Sequence, residues 1–252
     1  MDLVTATIAQ RPDLAPLLGS LNPWPRFMHQ DPVGWLYYAD AVTAYPEFVL
    51  VAIDRDHPDQ LVAKGYSVPF TWDEDPSASL PEDGWDGVIV SAAVDRMAGR
   101  GGNLVSALEI SVRGDLQSRG VSGIVLAAML ANSTALGFRS LVAPVRPSRK
   151  HLRPDLPIRD YAAMRRDDGL PVDPWLRVHV RAGGKIVGVA PRAMTMAGST
   201  AQWREWTGLP FDTTGPVTVP QALVPVYCDV EQDYAVYCEP AVWVHHRLPA
   251  TR

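Results

Sequence analysis

The chain of 252 residues carries only two cysteines, and no apolar stretch approaches the roughly 18 residues that a membrane-spanning helix needs. With a hairpin centred on Glu231 and Gln232, Cys228 faces about Ala235 and Cys238 faces about Pro225. The two sulfurs are then not opposite each other, so a bridge would be strained and two reduced thiols are expected. The start, MDLVTATIAQRPDL, has Asp2 early and lacks the basic opening and apolar run of a signal peptide, so a cytoplasmic location is expected. There is no long basic stripe: the formal charge is −5, the pI is about 5.6, and the arginines are spread. Nucleic acid is therefore not an expected partner. The sequence holds no HxxxH, HExxH or CxxC, which argues against a metal site, and no GxSxG, which disfavours an α/β-hydrolase. Internal repeats and low-complexity segments are missing too.

What is present is an ordinary globular balance, 47% hydrophobic and 20% charged. The length suits one elaborated domain over 1–252, with 150–220 as an extension. Weak alternation at 5–9 suggests a short strand, followed by a first helical segment at DLAPLLGSL and another around Trp35 to Ala44. Phe48 to Ile53 and Gln60 to Phe70 read as an antiparallel hairpin. Residues 71–103 read as an acidic, proline-containing loop ending in a glycine-rich turn; GRGGN precedes a strand, whereas a dinucleotide loop follows one. Leu104 to Val112 is a strand, Val121 to Leu136 a helix stopped by Gly137, and FRSLVAPV a returning strand, together a right-handed β-α-β unit with parallel strands. A short helix is expected around Ile158 to Arg165, a strand or helix pair over Trp175 to Val189, and a hairpin over 222–246.

The stretch QSRGVSG, Gln117 to Gly123, joins that strand to that helix. Small residues at a helix N-terminus let successive N–H groups and the positive end of the helix dipole act together on an anion. Gly120 permits close backbone approach, while Ser122 and Gly123 keep side chains small, so the ligand suggested is a pyrophosphate.

VRGDLQSRGVS, Val112 to Ser122, resembles the acyl-CoA-binding motif of the GNAT N-acetyltransferase superfamily. That motif is a strand ending in Val, four residues, Gln or Arg, two residues, Gly, one residue, then Gly or Ala. Gln117 and Gly120 match, and Ser122 stands where Gly or Ala is usual. The tail DGLPVDPWLRVH through EPAVWVHH is similar to that of bacterial GNAT-type proteins. The resemblance implies an α+β GNAT fold, a mixed sheet flanked by helices. It also implies a transferase that moves an acyl group from acetyl-CoA or another acyl-CoA to an amine within a ternary complex. The N–H groups of Ser118, Arg119, Gly120, Val121, Ser122 and Gly123 would take the pyrophosphate, and the backbone of Ile110, Ser111 and Val112 the pantetheine arm. The acceptor would be a small-molecule or peptide amine, or a carrier-protein thiol in a decarboxylating or loading relative. A non-catalytic acyl-CoA-binding module is the third alternative, and a homodimer is allowed.

In that family a Glu on the fourth strand often serves as base, and a Tyr beyond the fifth as acid. Glu109 is the one carboxylate within Leu104 to Val112, but alternation sets it on the face of Ala107 and Ser111, opposite Leu108, Ile110 and Val112. The family's base sits an even number of residues before the position of Val112, so Glu109 needs a bulge to reach the cleft. Tyr161 is the candidate acid, without the family's customary Asn, near whose place Ser148 stands. Arg149, Lys150 and Arg153 are candidates for CoA phosphates. The 150–220 segment would build the acceptor pocket, with Trp175, Trp203 and Trp206 as walls. Of His245 and His246, successive in a strand, at most one faces a cleft.

Overall fold

The computed structural model describes residues 2–250. Its centre is one mixed sheet. β1 (Leu3–Thr7) pairs antiparallel with β2 (Val49–Asp54), β2 with β3 (His57–Phe70), and β3 with β4 (Leu104–Val112). β4 lies parallel to β5 (Ser140–Val145), the expected β-α-β unit. β5 pairs antiparallel with β9 (Tyr234–Arg247), whose other edge carries β6 (Lys185–Gly198). β7 (Gly215–Val217) and β8 (Val226–Asp229) extend the sheet beside the start of β9. In the β8–β9 hairpin Cys228 faces Ala235, as the spacing requires; both cysteines are free thiols.

Helices cover both faces. α3 (Val121–Ala135) buries Val121, Val125, Leu126 and Met129, a stripe at helical spacing, and packs over β2, β3 and β4. Gly137, with φ +91°, ends it in the left-handed conformation. α4 (Ile158–Ala163) packs on β6 and β9, and α5 (Pro174–Arg181) packs against α3. Asp173 caps α5 by accepting the N–H groups of Trp175 and Leu176 at 2.9 and 3.1 Å. α6 (Thr200–Thr207) begins with a capping box between Ser199 and Gln202. The stretch around Trp35 forms a short π-helical turn, Gly34–Tyr38, followed by α1 (Asp40–Ala44).

The second half of the expected 71–103 loop is instead a helix, α2 (Gly84–Met97). Its Gly84, Gly87 and β-branched run are poor helix formers, but Trp85, Val88, Ile89 and Ala92 fall on one face and bury against the sheet. Tertiary packing decides the outcome. A Cβ at Gly84, whose φ is +47°, would stand 2.6 Å from the Ala193 Cβ, so only glycine lets α2 seat on β6. Among the described residues no helix is long and apolar enough to cross a membrane.

Candidate active site

The turn before α3 leaves its amides free. Gln117 N–H closes onto the Gly114 carbonyl, and the next engaged amides are those of Gly123 and Ile124, both on the Gly120 carbonyl. Among the described residues the N–H groups of Ser118 through Ser122 meet no protein acceptor. Ser118 and Gly120 have φ of 63° and 82° on either side of Arg119, an alternation that gathers consecutive N–H groups into an anion-binding nest. Space over Gly120 is open. These groups fit a pyrophosphate at the positive end of α3.

Next to the turn, the sheet opens. β4 and β5 pair only at Val105 with Leu141 and Ser106 with Val142, and then part. The parted edges, Ala107 to Val112 and Ala143 to Arg146, line a cleft of about 750 Å³ that reaches from the turn to the opposite face of the sheet. Of the residues implied for acyl-CoA, Ile110, Ser111, Val112, Gln117, Ser118, Gly120, Val121 and Ser122 all line this cleft; Arg119 and Gly123 do not.

Glu109 lines the cleft from the α2 side, and β4 bulges just before it. Tyr66 pairs with Glu109 and Ser67 with Ala107, so Leu108 is the extra residue and the alternation shifts by one. Glu109 and Ser111 keep the expected face, opposite Ile110 and Val112, and only Ala107 and Leu108 change sides; Glu109 needs no bulge to reach the cleft, because the cleft opens on its face of the sheet too. Val105 and Ala107 point to the α3 side along with Ile110 and Val112, while Leu108, Glu109 and Ser111 point to the α2 side. The Glu109 carboxylate is 3% exposed, receives hydrogen bonds from the Tyr38 and Ser111 hydroxyls, and lies 3.3 Å from Lys64 Nζ. Burial, and then the charge of Glu109, push the Tyr38 hydroxyl pKa well up, so it stays a donor. Trp85, on α2, stacks on Tyr38 and donates its indole N–H to the Leu108 carbonyl at 3.1 Å, bracing the bulge.

Tyr161 is elsewhere. It is buried on α4 with its hydroxyl donated to Asp173 at 3.0 Å, away from the cleft lining. Arg149 and Ser148 do line the cleft, whereas Lys150 is buried, with Nζ donated to the carbonyls of Arg153, Pro154 and Leu223. Trp203 is wholly buried, bonded to the Ala235 carbonyl, and with Trp206 belongs to the core rather than to a wall. The 150–220 segment divides. Trp175, Arg177 and Arg181 of α5 line the cleft beside α3, and Ala193 and Met194 of β6 line it on the α2 side. His246 stacks behind the cleft with its Nε2 3.0 Å from His179 Nδ1; burial depresses the two to about 4 and about 3, so the pair is neutral. His245 bonds Ser140. Among the described residues no cluster of His, Cys, Asp or Glu could hold a metal ion.

Three parts of the site had not been singled out. Trp24 and Trp85 form walls on the α2 side. Glu239, buried on β9, and Arg146, half-buried just past β5, make an ion pair in the lining of the cleft. An acid in the apolar run CEPAVWVHH was the visible signal. Asp31 and Asp86 each keep an oxygen with no partner and have no cation beside them among the described residues. Burial, then the charge of Asp31, push Asp86 up to about 8.

A parted parallel strand pair beside a helix N-terminus with free amides defines an acyl-CoA-binding transferase cleft. No family model matches the chain. An arginine N-acetyltransferase, avaD, of Aspergillus versicolor is 33% identical over 272 residues, covering 96% of this chain and 93% of that protein. Among solved structures, the loading GNATL domain of CurA from Lyngbya majuscula superposes with a TM-score of 0.59 at 17% identity, over 98% of this chain and 96% of that one. The GphF GNAT-like decarboxylase in complex with isobutyryl-CoA gives 0.51 at 18%, over 99% and 100%. These two structures share the fold. The chain belongs to the GNAT N-acetyltransferase superfamily and is an acyl-CoA acyltransferase.

Proposed function

We propose that this enzyme moves an acetyl group from acetyl-CoA to the amino group of a small amino-acid acceptor by direct attack in a ternary complex. One observation carries the reading: a single cleft runs from the free amides of the turn, past the parted edge of β4, to Glu109 on the opposite face. The amides of Ser118 to Ser122 hold the pyrophosphate, and the free edge of Ile110 to Val112 orients the pantetheine arm. The amine nitrogen bonds to the thioester carbon, the C–S bond breaks, and the thiolate leaves with the electron pair. Glu109 takes the amine proton through a water. Thiols ionise at a pKa of about 8.5, so the departing thiolate needs little help, and a hydroxyl held as Tyr161 is, on Asp173, is not required. An arginine-like acceptor is supported by the curated relative, named an arginine N-acetyltransferase.

The three donors already held by Glu109, two hydroxyls and Lys64, favour a second reading, transfer to a carrier-protein thiol, whose nucleophile needs no strong base. One experiment separates them. Protein is incubated with acetyl-CoA and arginine, free CoA thiol is followed, and the product is read by mass spectrometry. Arginine-dependent CoA release with a product heavier by one acetyl group supports amine transfer. Release that occurs with carrier-protein thiols and with no amine would establish the alternative.

A further inference from the structure

Arg146 is fixed from behind and free in front. Its Nε donates to both oxygens of Glu239, at 2.9 and 3.0 Å, and its Nη2 donates to the Gln221 carbonyl. Glu239 also accepts from the Tyr237 hydroxyl at 2.7 Å, and that hydroxyl accepts from Leu223 N–H at 2.8 Å. Lys150 Nζ holds the Leu223 carbonyl at 2.6 Å. A guanidinium carries five N–H donors in a rigid fork. The bonds described engage Nε and Nη2, and among the described residues Nη1 has no partner.

A buried ion pair is on balance no more stabilising than apolar residues of the same volume. Gln221, whose carbonyl is presented to Arg146, has φ 69°, a conformation that costs a non-glycine residue on the order of 1–3 kcal/mol and clusters at functional sites. Arg146, Gln221 and Glu239 all line the cleft, and the Arg146 side chain is 21% exposed there. Glu239 shares its face of β9 with Tyr237 and Ala241, the α2 side, which is also the side of Glu109. The turn that fits the pyrophosphate opens α3, which covers the opposite face of the sheet. Arg146 therefore meets a ligand on the Glu109 side of the sheet and not at the pyrophosphate turn.

The geometry points to Arg146 as the residue that recognises a carboxylate of the acceptor, through its free Nη1 edge, so that the enzyme acts on α-amino acids and rejects the corresponding amines. This rests on the amine-transfer reading above and assigns the residue that restricts its acceptor to α-amino acids. A carboxylate on the acyl chain, as in malonyl-CoA, has the same chemistry, and the test separates the two sources.

The experiment measures kcat/KM with acetyl-CoA for matched pairs differing by one carboxylate: arginine and agmatine, lysine and cadaverine, tryptophan and tryptamine. Each pair is run in the wild type and in Arg146→Lys, which keeps a cation beside Glu239 and loses the fork. Charge-assisted bonds of this kind predict a preference for the amino acid of about 10²-fold, collapsing to within about 10-fold in the variant, chiefly through KM. Decarboxylated amines used as well as amino acids by the wild type would overturn the assignment, even if the variant did not fold. So would Arg146→Lys losing malonyl-CoA turnover while keeping its amino-acid preference. Acetylation of no amine, with carrier thiols acylated instead, would overturn the amine-transfer reading and this assignment together.

Discussion

Lys64 Nζ stands 3.3 Å from Glu109 Oε1, and both side chains are buried. The pair joins neighbouring strands β3 and β4 where Glu109 faces the cleft. Glu109→Gln should lower kcat by about 10²- to 10⁴-fold, the range of a lost general base, while the Kd for acetyl-CoA stays near the wild-type value. Rapid-mixing kinetics beside a binding titration checks this; unchanged kcat would remove Glu109 from the chemistry.

Lys64 has a different role. Lys64→Met leaves a buried carboxylate without its cation, a loss of about 3–5 kcal/mol. Urea denaturation should show a matching drop in midpoint at constant slope. A loss below about 1 kcal/mol would mean that water reaches Glu109 freely.

Gly120 has φ 82° and open space above it, so a side chain there meets no protein atom but projects where the turn's amides would meet a ligand. Gly120→Trp is expected to weaken acetyl-CoA binding by at least about 10-fold, with a further cost of about 1–2 kcal/mol in stability from the left-handed backbone. Unaltered affinity in a folded variant would show that the turn is not the anion site.

Asp86 makes stability depend on pH. Its carboxyl, ordinarily at 3.8, is raised to about 8 by burial and then by the charge of Asp31. The folded state thus binds the proton more tightly than the unfolded chain does. That contribution is complete below about pH 4 and is lost as pH rises through about 8. Asp86→Asn keeps an oxygen for the Thr195 N–H and removes the ionisation. The variant should melt higher than the wild type at pH 8, with the gap closing at pH 5, as followed by calorimetry. A gap that widened toward pH 5 would reverse the sign of this account.

Tyr161 donates to Asp173, which also takes the N–H groups of Arg149, Trp175 and Leu176. Tyr161→Phe should therefore leave kcat within about 2-fold and cost about 1–3 kcal/mol through the lost bond to a carboxylate. A fall in kcat of more than 10-fold with intact stability would return the residue to the reaction.

Much of the frame was legible in the residues. The hairpin before β4, the β-α-β unit with its parallel strands, and the pairing of Cys228 with Ala235 follow from alternation, helical spacing and turn chemistry. α2 was not, because Gly84 and Gly87 argue against a helix until Ala193 is known to press on its first turn. Alternation placed Glu109 opposite Ile110 and Val112, where it stands; what it did not give is that the cleft opens on that face too, or that an extra residue at Leu108 sends Ala107 and Leu108 to the other sides, since no residue type announces a bulge. Arg146 and Glu239 are 93 positions apart and meet only because β9 pairs with β5. Their partnership belongs to the topology and has no local signature.

The most direct test of the cleft is calorimetric titration with acetyl-CoA beside S-acetylpantetheine, which carries the same thioester without the pyrophosphate. Micromolar binding of acetyl-CoA, with the truncated ester weaker by at least about 10²-fold, is the result expected from the free amides of Ser118 to Ser122. Equal affinity for the two, or no binding of either, would contradict it.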